Sequence, residues 1–252
     1  MKLPVKISLA LLLLAPALIN AQDAAFLIDS AKKLELKFKE EKAYELYKQA
    51  NTIKPTVETN TKLAELSLNI GARQADPLQK IDFYKKAQTY ANAASWIDSA
   101  NADVLYTTAL VYDKLYGAEE KKELIAEDIR LTRYFINKAI AANPNNGRYY
   151  HLLGHWHLEL LNLNPVKKAA VRILYGSLPP ASIDSAIAYM EKSKSMEQYY
   201  CWNFYDLGRA YSFNRQYEKA MAVLQQLAKL PTRRQDDIEI KKQGAILLQQ
   251  LN

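Results

Sequence analysis

NPNNGRYYHLLGHWH, from Asn143 to His157, is the stretch whose reading decides the fold of this 252-residue chain. Pro144 and Gly147 punctuate a turn. Tyr150, Leu153, Gly154 and His157 then recur at the three-to-four-residue spacing that puts side chains on one face of a helix. Gly154, with no side chain, lets a second helix approach closely, and Tyr150, Leu153 and His157 fill the space on either side. The stretch therefore reads as the joint between two helical hairpins.

Those four positions match the W-x2-L-G-x2-Y signature of the tetratricopeptide repeat. The second helix of such a repeat carries a small residue, a large one four later, a small one three later and a turn residue five after that. Ala43, Tyr47, Ala50 and Pro55 fit fully; Ala87, Ala91, Ala94 and Ser99, then Thr132, Ile136, Ala139 and Pro144, then Ala186, Met190, Ser193 and Gln198 fit with departures. Phe204, Leu207, Gly208 and Tyr211, followed by Ala220, Leu224 and Leu227, form a final unit without insertion. Five units start near residues 24, 57, 102, 147 and 201. The expectation is an all-α chain: one tetratricopeptide-like, right-handed α-solenoid over residues 22–252, with insertions and a C-terminal capping helix over 233–251.

Against the usual 34-residue period, the second and third units gain 11 residues each and the fourth gains 20. The fourth insertion reads as a helix. Asn164 caps it, Pro165 suits its first turn, Val166, Ala170, Ile173 and Leu174 form an apolar stripe away from Lys167, Lys168 and Arg172, and Gly176 closes it before Pro179 and Pro180.

From about Ala139 to Leu248 the order of motifs resembles the regulator of microtubule dynamics family, tetratricopeptide-like proteins of animals with bacterial relatives. The residues that carry the resemblance are His151, Leu152, Leu153, Gly154 and Trp156, then Lys168, Ala170, Leu174, Gly176, Pro179 and Pro180, then Leu230 and Pro231. It implies an all-helical interaction fold and, for animal members, association with microtubules. It implies no catalytic residues and no cofactor.

The N-terminus points elsewhere. Lys2 and Lys6 precede the apolar run from Ile7 to Ala15, Pro16 breaks it, and Ala21/Gln22 offers a cleavage point. This is the plan of a secretory signal peptide over residues 1–21. The run is shorter than the roughly 20 residues that span a bilayer, so the expectation is an exported, most simply periplasmic, protein that is not membrane-spanning.

Composition excludes several classes. The 49% hydrophobic content supplies a core, and 7 glycines argue against a flexible or β-rich chain. The net charge of +7, which falls to +5 without Lys2 and Lys6, is spread among acidic neighbours and contains no long basic run. It reads as solvated helix faces, with no nucleic-acid partner and at most an envelope-surface contact through the basic insertion. Cys201 is the only cysteine, so no intrachain disulfide is possible.

All three histidines lie on one helix. His151, His155 and Glu159 share a face with Arg148, while His157 takes the packing position of the repeat's tyrosine. Two histidines one turn apart with a carboxylate beyond them raise a metal-binding or hydrolytic alternative. No HExxH pattern, nucleophile elbow or phosphate loop accompanies them, so no catalytic residue, metal or cofactor is assigned.

Solenoid geometry supports a binding role better. First helices of successive repeats line a concave groove with the residues opposite their packing faces. Here those are Tyr106 from the third unit, Arg148, His151, His155 and Glu159 from the fourth, and Trp202, Tyr205, Asp206, Arg209 and Phe213 from the fifth. Rings supply rigid contact area and guanidinium groups take carboxylates bidentately, which suits a protein or peptide partner. The sequence thus predicts a non-enzymatic scaffold or adaptor of an exported compartment. Metal-binding or hydrolytic chemistry on His151, His155 and Glu159, or microtubule regulation by an unexported chain, are the alternatives.

Overall fold

Short polar side chains mark where helices begin, because they accept bonds from backbone N–H groups that have no partner in the first turn. Thr56 and Thr59 form a reciprocal capping box, Asp76 accepts from the N–H of Leu78 with Pro77 just inside the helix, Asn146 accepts from that of Arg148, and Ser182 from that of Ser185. The computed structural model describes residues 22–118, 122–175 and 180–251, and among them every regular element is a helix. The candidate signal peptide, and Gly176 and Pro179 after the insertion, lie outside the described residues.

In chain order the elements are α1 (22–35), α2 (Glu40–Ile53), α3 (Val57–Ala72), α4 (Pro77–Ile97), α5 (Ala102–Ala118), α6 (Lys122–Ala142), α7 (Gly147–Asn162), α8 (Pro165–Tyr175), α9 (Ile183–Met196), α10 (Cys201–Phe213), α11 (Tyr217–Lys229) and α12 (Asp237–Leu251). α3 packs on α4, α5 on α6, α7 on α9 and α10 on α11, and each pair contacts the next. The result is a tetratricopeptide-like solenoid. Its apolar interior is a series of clusters along the stack, each shared between neighbouring hairpins, as expected when repeats bury their faces only against one another.

Close approach within the hairpins depends on small residues. Ala43, Ala50, Ala87, Ala94, Ala139, Ala186, Ser193 and Ala220 on the second helices are fully buried, or nearly so. On the first helices, a Cβ at Gly154 would lie 2.8 Å from Met190 Cγ and 3.0 Å from the Ala186 carbonyl oxygen. Trp156, also on α7, is buried and donates its indole N–H to the Ile129 carbonyl at 2.9 Å.

The extra length of the second and third units appears in long second helices, since α4 and α6 each have 21 residues. The fourth insertion is α8, capped by the Asn164 side chain as expected, and it packs on α6. Its orientation differs from the stripe anticipated in sequence. Val171 is buried, whereas Val166 is 63% and Ile173 82% exposed. Lys167 and Lys168 turn inward because the C-terminal carbonyls of α5 and α7 lack helical donors: Lys167 Nζ reaches the Tyr116 carbonyl at 3.4 Å and Lys168 Nζ the Leu161 carbonyl at 2.9 Å.

α12 covers the last hairpin, with Ile240 buried and Leu247, Leu248 and Leu251 packed on the α10–α11 core. Residues 233–236 are not part of that helix. They form a latch that crosses back to the start of the solenoid. Gln235 Oε1 accepts from the Glu40 backbone N–H at 3.2 Å, serving a helix start that has no local side-chain cap. Arg73, just after α3, bonds Glu40 at 2.8 Å, Glu41 at 3.0 Å and Asp236 at 2.6 Å. The two ends of the superhelix are therefore tied across its concave side.

Candidate functional site

Closing the superhelix turns the concave face into a chamber of about 300 Å³. α3 contributes Glu65 and Asn69, α4 Lys80 and Tyr84, and α5 Tyr106, Asp113 and Lys114. α7 contributes Arg148, His151 and His155, and α10 Trp202 and Asp206. Tyr200 and the latch residue Arg234 complete the wall. First helices of four hairpins, α3, α5, α7 and α10, project most of these side chains inward because their opposite faces, such as Leu153 and Leu207, pack into the stack.

Asp206 organises one side of the chamber. Fully buried, it accepts through Oδ2 from His151 Nε2 at 2.9 Å and His155 Nδ1 at 2.8 Å, and through Oδ1 from Arg209 at 2.8 Å. Arg209 continues to Glu159 at 2.7 Å. His155 Nε2 faces Asp113 Oδ1 at 3.7 Å, and Asp113 Oδ2 holds Lys114 at 3.1 Å. Lys114 in turn lies 5.7 Å from the Trp202 ring centre.

The two histidines are shifted in opposite directions. Burial disfavours the imidazolium of each, and for His151 this outweighs the Asp206 bond, so its pKa lies below the ordinary value. For His155 burial is overcome by the charges of Asp206 and Asp113, which lift its pKa to about 9. Asp206 stays ionised despite its burial, held well below the usual carboxylate range by His155, His151 and Arg209.

A raised folded-state histidine pKa adds stability that is complete below the unfolded value near 6.5 and disappears as pH rises through about 9. The parent's advantage over a His155→Gln variant is therefore expected to shrink by roughly 1–3 kcal/mol between pH 6.5 and 9.5. Urea denaturation of both proteins across that range measures it. A constant difference would place a neutral imidazole at position 155.

The histidines and Asp206 offer donor atoms within 4.8 Å of one another. The third member of this group is Asp206, not Glu159, because Glu159 is turned to Arg209. Both Asp206 oxygens already accept from protein donors, so the arrangement is complete as a hydrogen-bonded ion-pair network.

Of the other groove candidates, Tyr106, Arg148 and Trp202 line the chamber. Tyr205 packs against the α10–α11 core, and Arg209 lies behind Asp206 as its counter-ion. Phe213, 47% exposed at the end of α10, is not among the lining residues. His157 is a packing residue: it stacks on Tyr189 at 5.7 Å between ring centres and accepts from the Ser182 N–H at 3.3 Å, and burial drives its pKa down to about 4. Helix phase does not select Lys80, Tyr84, Tyr200 or Arg234. Only Arg234 carries a usable signal, as one of two adjacent arginines between Pro231 and the last helix.

Residues 27–252 match the family model described as Regulator of microtubule dynamics protein 1-3. The chain belongs to that family. Regulator of microtubule dynamics protein 1 of Pongo abelii is 23% identical over 211 residues, 82% of this chain and 66% of that protein. Its namesake in Caenorhabditis elegans is 21% identical over 164 residues, covering 65% and 72%. Regulator of microtubule dynamics protein 3 of Xenopus laevis is 27% identical over 121 residues, and the match spans 48% of this chain but only 26% of that protein. Among solved structures, a thermophilic TPR protein of Thermus thermophilus superimposes with a TM-score of 0.63 at 16% identity, covering 90% of this chain and 99% of that one. The pilF protein of Pseudomonas aeruginosa gives 0.52 at 16% identity, covering 92% and 91%. This member of the regulator of microtubule dynamics family thus shares the tetratricopeptide fold, and none of its described helices is long and apolar enough to cross a membrane.

Proposed function

We propose that this chain is a non-enzymatic scaffold that binds an extended protein segment or peptide in its concave chamber. The observation that carries the reading is the continuity of the concave space. The chamber shares Arg148, Tyr200 and Arg234 with a second cavity of about 330 Å³ on one side, and Lys80, Tyr84, Asp113, Lys114 and His155 with a third of about 510 Å³ on the other. Adjoining cavities that share wall residues along the concave side suit a chain in extended form. A binding role is favoured over catalysis because Asp206, the carboxylate beside the two histidines, spends both of its oxygens on His151, His155 and Arg209, and a general base needs a free lone pair facing its substrate.

Photo-crosslinking in the native cells, followed by mass spectrometry, would identify the partner. With that partner in hand, Trp202→Ala is expected to weaken binding by about 1–3 kcal/mol, the scale of an interface anchor, and Phe213→Ala to leave it unchanged. Equal losses in both would place recognition outside the chamber.

We further propose that the working chain begins near Gln22 after export, on the strength of the signal-like start. N-terminal sequencing of the protein from its host decides it, since a product retaining Met1 would overturn export. Family membership favours a second reading, a regulator of microtubule dynamics. Co-sedimentation with polymerised tubulin, saturable and lost in Trp202→Ala, would support that reading over the exported one.

A further inference from the structure

The ends of the solenoid meet through polar groups. Gln235 and Asp236 reach Glu40 and Arg73, and no apolar cluster among the described residues holds members from both α2–α3 and the segment after Pro231. Each end is packed on its own neighbours, α2 on α3 and α12 on α11 and α10. Closure therefore adds nothing to either core.

Such a contact has little net energy. One guanidinium serves three carboxylates, with Glu40 and Asp236 on Nη1 of Arg73 and Glu41 on Nη2. The Glu40 and Asp236 side chains are only 7% and 14% exposed, so closure withdraws two like charges from water and sets them on one nitrogen. Their desolvation and mutual repulsion, which together raise the Glu40 pKa, offset the attraction of each for Arg73. Opening returns polar groups to water and uncovers no core, so the closed and open forms lie close in free energy. The latch travels with the C-terminal hairpin, because Asp237 Oδ2 accepts from the N–H groups of Arg233 and Arg234 at 2.8 Å each and Lys241 Nζ donates to the Leu230 carbonyl. It also carries Arg234 and Asp236 of the chamber wall.

We propose that Arg73 is the clasp of a gate: the solenoid passes between a closed form, with Gln235 and Asp236 seated on Glu40 and Arg73, and an open form in which the ends separate and the chamber becomes an open groove. Ionic strength sets the balance, because salt screens partly exposed ion pairs while the apolar packing between hairpins does not depend on charge. The clasp acts in the free chain, whatever the chamber binds.

Spin labels on Lys42→Cys in α2 and Lys242→Cys in α12, both exposed positions, report the distance between the ends, and Cys201 is buried and stays unlabelled. Pulsed electron spin resonance on the full chain is expected to give one short, narrow distribution at about 0.05 M NaCl; at about 1 M, where the screening length falls to ~3 Å, a second population should appear about 10 Å longer, the separation at which ~0.1 M salt already screens the pair. Arg73→Gln should show the longer population at low salt and lose the salt response, with helix content by circular dichroism unchanged. Asp236→Asn leaves the Arg73–Glu40 pair in place and should act in the same direction, so it decides the matter if Arg73→Gln unfolds α2 and α3. One short distribution at both salt concentrations and in both variants overturns the gate, since the curvature of the stack then holds the ends together without the clasp. A parent already long and broad at low salt overturns it as well. Salt opening that neither variant reproduces overturns Arg73 as the clasp, and opening by the variants without any by salt overturns its control by ionic strength.

Discussion

Asp206→Ala is expected to destabilise the protein by about 3–5 kcal/mol, the cost of leaving a buried charge without its partner. The carboxylate is fully buried and accepts from three side chains. Its removal leaves Arg209 with Glu159 alone and strips His151 and His155 of their shared acceptor. His155 would then lose the stronger of the two charges that keep it protonated, so its pKa should fall toward or below 6.5. Urea denaturation gives the first quantity and an NMR titration of the imidazole the second. Phe213→Ala, at an exposed position on the same helix, should stay within about 0.5 kcal/mol of the parent. If Asp206→Ala were as mild as Phe213→Ala, the network would be dispensable to the fold.

Glycine substitutions provide the second large effect, and its sign depends on the neighbour. Gly154→Val is expected to cost about 2–3 kcal/mol, because the new side chain meets Met190 and the backbone oxygen of Ala186, and the latter cannot rotate away. Gly208→Ala should cost less, since the nearest atoms belong to the flexible end of Leu224, at 2.7 and 2.8 Å. Gly117→Ala has nothing within 4 Å and lies inside α5, so it should gain up to about 1 kcal/mol from helix propensity. Thermal or urea unfolding of the three variants tests this order. A Gly154→Val protein as stable as the parent would show that α7 and α9 do not need their close approach.

Helical hairpins were legible in the sequence because their cause is local. A glycine facing a second helix, small residues at fixed spacing on that helix and a turn between them report contacts made within some forty residues of chain, and each leaves a periodic trace. The same periodicity identified Tyr106, Arg148, His151, His155, Trp202 and Asp206 as residues pointing away from the packing faces. Phase states a direction, however, and not a distance. It could not separate Trp202, which reaches the chamber, from Tyr205 and Phe213, which do not. Nor could it tell that Asp206, rather than Glu159, joins the histidines, since that choice depends on how α10 is set against α7.

The latch left no such trace. Glu40 and Gln235 are 195 residues apart, and Arg73 and Asp236 are 163 apart; their meeting depends on the curvature accumulated over every intervening hairpin, to which no single repeat is a guide. By itself the sequence determined the all-helical solenoid and the side of each first helix that faces its concavity, because backbone periodicity and neighbouring repeats decide both. Only the tertiary structure decided that the concavity is bridged, that Asp206 accepts from two histidines and an arginine at once, and that Arg148 and Arg234 face the same chamber. Those properties arise from charges brought together across the superhelix, and Coulomb interactions follow distance in space rather than spacing along the chain.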